Sequence, residues 1–84
     1  MTSKELQKFF KKHLVPARLY KRNGTRSKRI CLRKEGSGWD IFYSDHKKRI
    51  GLTHFTSESA ACAQMKEEIR KVMETMYGIT WRTV

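Results

Sequence analysis

Between Arg18 and Lys34 the chain places Arg18, Lys21, Arg22, Arg26, Lys28, Arg29, Arg33 and Lys34 without one acidic side chain among them. Lys47-Lys48-Arg49 forms a second cluster. Such residues bind anions. A guanidinium pairs with carboxylate or phosphate through two parallel hydrogen bonds, whereas an ammonium acts as a compact point charge. Dense charge of one sign also steers an oppositely charged partner during encounter. The candidate partner-binding residues are therefore Arg18, Lys21, Arg22, Arg26, Lys28, Arg29, Arg33, Lys47, Lys48 and Arg49. Nucleic acid and an acidic protein surface both satisfy this chemistry.

Residues suited to catalysis are few and scattered. His13, His46 and His54 stand apart from any nucleophile or paired carboxylate, so no acid–base or nucleophilic constellation is recognisable. Gly24, Gly36, Gly38, Gly51 and Gly78 mark turns or helix ends and do not complete a phosphate-binding loop. Cys31 and Cys62 form no CxxC pair and have no His at metal-ligand spacing. They are expected to be buried structural thiols in a reducing compartment. The reading is a binding protein and not an enzyme, with no catalytic residue, metal, cofactor or small-molecule substrate.

The elements that must position the basic residues follow from length and pattern. The 84 residues carry 19 Lys and Arg against 8 Asp and Glu, a net charge of +11. Residues 1–54 hold 15 basic and 4 acidic side chains, and residues 55–84 hold 4 of each. The whole excess thus lies in the first two thirds of the chain. This length predicts one domain over 1–84 with a thin core, and a 38% hydrophobic content suffices to pack it. No apolar run approaches the roughly 20 residues needed to span a bilayer. Met1 to Lys12 lacks the apolar stretch of a secretory leader. The expectation is a cytoplasmic protein, complete from its own Met1, with no membrane partner.

Thr2-Ser3-Lys4-Glu5 fits a capping box, and Leu6, Phe9, Phe10 and Leu14 follow at helical spacing, so a helix is predicted over about 3–14, ended by Pro16. Ala17–Arg22 is a short strand candidate, and Asn23-Gly24 signals a tight turn. Lys28–Lys34, Trp39–Ser44 and Arg49–Phe55 read as further strands separated by turn residues. With Ile30, Leu32, Ile50 and Leu52 facing a helix, regular pairing leaves Arg29, Arg33 and Arg49 on the opposite sheet face, with Phe42 and Thr53 among them. Thr56 or Ser57 caps a long second helix, whose stripe runs through Ala61, Cys62, Met65, Ile69, Val72, Met73 and Met76 to a terminal Gly78. Ile79–Val84 has the composition of a short edge strand. The predicted fold class is α+β: an N-terminal helix, an antiparallel meander of three to four strands, and a long C-terminal helix on one sheet face.

Two resemblances bear on function. Arg29-Ile30, Gly38-Trp39, Lys48-Arg49-Ile50-Gly51-Leu52, Phe55 and Ala60-Ala61 loosely resemble AP2-type and integrase arm-binding domains, which implies a sheet face docked on nucleic acid. Over residues 14–70 the chain looks more like small bacterial immunity proteins of contact-dependent growth inhibition and polymorphic toxin systems. That likeness rests on Val15-Pro16, Leu19-Tyr20, Cys31-Leu32 and Gly38-Trp39-Asp40-Ile41-Phe42-Tyr43-Ser44. It continues through Leu52, Phe55, Ser57-Glu58 and Ala61-Cys62. Where such proteins continue Glu-Arg-Gly after the Tyr-Ser pair, this chain has Asp45-His46-Lys47.

The second resemblance implies inhibition without catalysis. The partner would be the C-terminal domain of a cognate toxin, and a basic binding surface implies that this domain is acidic where it is bound. Arg18, Arg22, Arg29, Arg33 and Arg49 are then the expected anchors, with the lysines steering. Nucleic acid is the alternative partner.

Overall fold

Thr2 opens the first helix: its hydroxyl accepts from the Glu5 N–H at 3.2 Å, and the Glu5 carboxylate accepts from the Thr2 N–H at 2.8 Å. This reciprocal cap starts α1 (Ser3–Lys12), which closes at His13. The computed structural model describes residues 1–81. After α1 come a 3-10 turn (Ala17–Leu19) and four strands, β1 (Tyr20–Lys21), β2 (Arg29–Glu35), β3 (Gly38–Asp45) and β4 (Lys48–Phe55). The long helix α2 (Glu58–Tyr77) follows, with the Ser57 hydroxyl accepting from the Ala60 N–H at its start. Gly78, at φ +69°, ends it in the left-handed conformation that glycine adopts without steric cost. The fold is α+β, with an open sheet of order β1-β2-β3-β4.

β2, β3 and β4 form an antiparallel meander. β1, in contrast, pairs parallel to β2, Tyr20 opposite Ile30 and Lys21 opposite Cys31, so the sheet is mixed. Asn23-Gly24 therefore does not close a hairpin. Residues 22–28 instead cross the sheet and are held by Cys31, whose Sγ accepts from the Arg26 N–H and donates to the Arg26 carbonyl, both at 3.5 Å. The first half of the Ala17–Arg22 strand candidate is a 3-10 turn, because the Leu19 N–H closes on the Pro16 carbonyl at 3.0 Å.

One face of the sheet packs against both helices. Leu32 and Ile41 meet Ala61, Cys62, Met65, Ile69 and Met73 of α2, and Leu6 and Phe10 of α1 complete the cluster. Full burial of such side chains contributes about 1.5–3 kcal/mol each. Met76, expected in this stripe, is exposed at the far end of α2. After Gly78 the chain folds back across α1, and Trp81 packs edge-on against Phe9 with ring centroids 5.0 Å apart. Residues 79–81 are not a strand, and residues 82–84 of the expected terminal strand lie outside the described residues.

The register of β4 departs from regular alternation. Tyr43 pairs with Ile50 and Ile41 with Thr53, so Phe42 faces both Gly51 and Leu52. Gly51, at φ +68°, supplies the left-handed residue of this β-bulge. One extra residue reverses the pleat beyond it. Leu52 thus joins the sheet face remote from the helices and Thr53 turns toward them, the reverse of the expectation from regular pairing.

Candidate functional site

On the sheet face remote from the helices, the pairing sets Arg29, Ser44 and Arg49 in one row and Lys21, Cys31, Phe42 and Leu52 in the next. A third row holds Arg33, Asp40 and His54. Phe42 is buried although it lies on this open face. The Arg49 guanidinium covers its ring, 4.7 Å from the centroid, an arrangement in which the ring quadrupole attracts the cation. The His54 ring stands over Gly38 and its Nδ1 lies 2.7 Å from the Asp40 carboxylate. Long side chains from the outer strands thus pave the central strand.

Several predicted site residues are engaged within the molecule. Arg18 lies apart from the sheet face and donates to the Tyr77 hydroxyl at the end of α2. Arg22 donates to the Ser3 hydroxyl at 3.3 Å. Arg29 donates to the carbonyls of Ala17 at 3.0 Å and Tyr20 at 3.4 Å, which pins the 3-10 turn and β1 to β2. Arg33 pairs with Glu35 at 3.3 Å. Arg26 and Lys28 lie exposed on the 22–28 crossing, where the Lys28 N–H extends the ladder to the Ser44 carbonyl.

Lys47, Lys48 and Arg49 stay together at the β3–β4 turn. His46 and Lys47 form its two-residue loop with φ of +47° and +66°. Positive φ at both positions is the type I′ geometry, which matches strand twist but disfavours residues with a Cβ. Beyond the turn, every residue from Lys48 to His54 is exposed. Ile50 and Leu52 retain 52% and 53% of their accessible surface, on opposite faces of the strand. Ile50 borders a groove of about 310 Å³ between sheet and α2, shared with Ile30, Ile41, Tyr43, Gln64 and Glu68. Regular alternation directs both Ile50 and Leu52 toward the helix; Ile50 lies on that side yet stays exposed, and Gly51 between them is the sequence signal for the departure of Leu52.

Lys21 and Arg29, at the β1 end of these rows, also line with Arg22 a separate groove of about 220 Å³ at the β1 edge, together with Gln7 and Lys11 of α1. The acidic residues of α2 are offset locally: Arg70 reaches Glu67 at 2.6 Å and Glu74 at 2.8 Å. These contacts raise the Arg70 pKa and hold the Glu67 carboxyl below the usual carboxylate range. The net positive field therefore stays with residues 1–54.

Among the described residues no three His, Cys, Asp or Glu side chains gather as a metal site, and no helix is long and apolar enough to cross a membrane. Cys31 and Cys62 are buried free thiols. No protein-family model matches the chain, no curated protein is significantly similar to it, and no solved structure matches it.

Proposed function

We propose that the chain is an immunity protein that binds a cognate bacterial toxin domain and neutralises it by blocking its active site or the approach of substrate. The observation that supports this most is the juxtaposition on β4, where Ile50 and Leu52 stand exposed directly after Lys47, Lys48 and Arg49. Apolar anchors beside charge suit a protein surface: the cations accelerate encounter and the anchors slow release. A phosphate backbone would use the cations alone. The partner surface is accordingly acidic around an apolar patch, and neutralisation needs no chemistry from this chain.

Co-expression with the toxin-like C-terminal domain encoded immediately upstream tests the proposal. Growth rescue and co-purification are expected, and Leu52→Asp with Arg49→Glu should weaken the complex by at least about tenfold. Absence of a toxin-like domain upstream, or failure to rescue, overturns it. So does tight binding of random duplex or RNA near physiological salt with a log–log salt slope of several units, which selects the nucleic-acid reading of the sheet face.

A further inference from the structure

The groove between α1 and β1 lies away from the β4 docking edge and is built differently. Lys11 reaches it from the last turn of α1, Lys21 and Arg22 come from β1 and the residue after it, and Arg29 comes from the start of β2. Gln7 and Asn23 add neutral amides, and among the described residues no carboxylate lines it. The two arginines are held by neutral acceptors: Arg22 by the Ser3 hydroxyl, Arg29 by the Ala17 and Tyr20 carbonyls. Their orientation is thus fixed, and among the described residues neither pairs with a carboxylate. Lys11 and Lys21 form no ion pair among the described residues.

Four cationic residues lining one groove with no acid among them repel one another, so the groove is electrostatically incomplete as it stands. An anion relieves that repulsion, and preorganised guanidinium groups present paired donors at little entropic cost. Lys11 and Lys21 supply mobile point charges of the kind that follow non-bridging phosphate oxygens. A phosphoryl group offers more charge and more acceptor oxygens per unit volume than a carboxylate, which favours phosphate as the occupant.

We propose that the Lys11–Lys21–Arg22–Arg29 groove is a binding site for a phosphate-bearing anion. The site does not depend on toxin binding. Titration of the folded protein with sodium pyrophosphate, followed by amide NMR and thermal melting, tests it against sodium chloride at matched ionic strength. Saturable shifts confined to Lys11, Lys21, Arg22, Asn23 and Arg29 are expected, together with a rise in Tm of several degrees that chloride does not produce.

Lys11→Gln with Lys21→Gln removes charges that form no ion pair among the described residues, and should weaken pyrophosphate binding by about tenfold or more while the fold is kept. Lys47→Gln with Lys48→Gln should leave it unchanged. A thymidylate oligonucleotide provides a second arm. Occupancy of the same residues at lower concentration than pyrophosphate identifies a nucleic-acid backbone as the source of the phosphate, and preference for pyrophosphate identifies a small ligand. Shifts that spread over all lysines and arginines, that track ionic strength, or that survive the Lys11/Lys21 substitution overturn the proposal. Growth rescue by the Lys11→Gln protein, altered at a residue outside the partner-binding candidates, separates this site from the β4 edge.

Discussion

His54 Nδ1 and Asp40 Oδ1 lie 2.7 Å apart across the β3–β4 ladder, and the ring they hold covers the bare backbone of Gly38. Asp40 is 5% exposed. Without His54 its carboxylate would keep Arg33 as its neighbour on β2 but would lose its direct hydrogen bond. His54→Ala is therefore expected to destabilise the protein by about 1–2 kcal/mol, the ordinary cost of leaving a shielded acceptor unpartnered. Asp40→Asn, whose amide oxygen can still accept from the imidazole, should cost less. Urea unfolding of the two variants checks the order. Gly38→Ala should be worse than either, because an added Cβ would meet the His54 ring and lie 2.5 Å from the Phe55 carbonyl.

The β3–β4 turn stores backbone strain. His46 and Lys47 both hold positive φ, at a cost of order 1–2 kcal/mol per residue with a Cβ. Replacing the pair with Asn-Gly, the sequence best suited to a type I′ turn, should stabilise the fold by about 1 kcal/mol. The same replacement removes one cation from the docking edge, so complex formation should weaken as stability rises. Paired melting and binding measurements read both effects; a turn that is merely structural would move the first alone.

Acid should loosen α1 through Glu5. The Thr2 backbone N–H and hydroxyl hold the Glu5 carboxyl below its ordinary value of 4.5. A carboxyl depressed in the folded state stabilises the fold above the unfolded value and loses that contribution as pH falls through the folded one. Helix signal followed by circular dichroism should accordingly decline as pH drops below about 4.5. In Glu5→Gln, which keeps a neutral acceptor at the same place, this component of the decline should vanish.

The two thiols should differ in reactivity. Cys62 sits fully buried in the helix–sheet core, and burial together with the Glu58 carboxylate pushes its thiol pKa up. Cys31 is equally buried, but the 22–28 crossing that binds its sulfur is largely exposed and spans no helix or long strand. Local opening of such a segment costs less than unfolding the core. Iodoacetamide should therefore label Cys31 first in the native protein, with Cys62 following only on global unfolding. Peptide mass spectrometry gives the order directly, and labelling of Cys62 first would contradict it.

Elements encoded by adjacent residues are legible in the amino-acid sequence. The Thr2–Glu5 box, the Ser57 cap, the Gly78 terminus and the β2–β3 turn each follow from side chains within a few positions of one another. Features decided by distant partners are not. The parallel pairing of β1 joins residues ten positions apart, Tyr20 with Ile30 and Lys21 with Cys31, and the grouping of Lys11 with Arg29 depends on where α1 packs. The facing of Leu52 turned on a single glycine, since period-two alternation carries no information across an inserted residue. Charge density located the basic region, yet which arginines remain available depended on internal acceptors such as Ser3, Ala17 and Tyr20.

The Gly51 bulge has a consequence for how the molecule behaves in a crowd of its own copies. An outer strand carrying exposed Ile50 and Leu52 would, if flat, template pairing with an identical strand and seed aggregation. The bulge bends β4 and interrupts its row of backbone donors and acceptors. Lys47, Lys48 and Arg49 repel the matching triplet of a second molecule. Stickiness and dispersal are thereby separated: β4 keeps its apolar side chains in water, refuses its own likeness, and stays open to a surface of opposite charge.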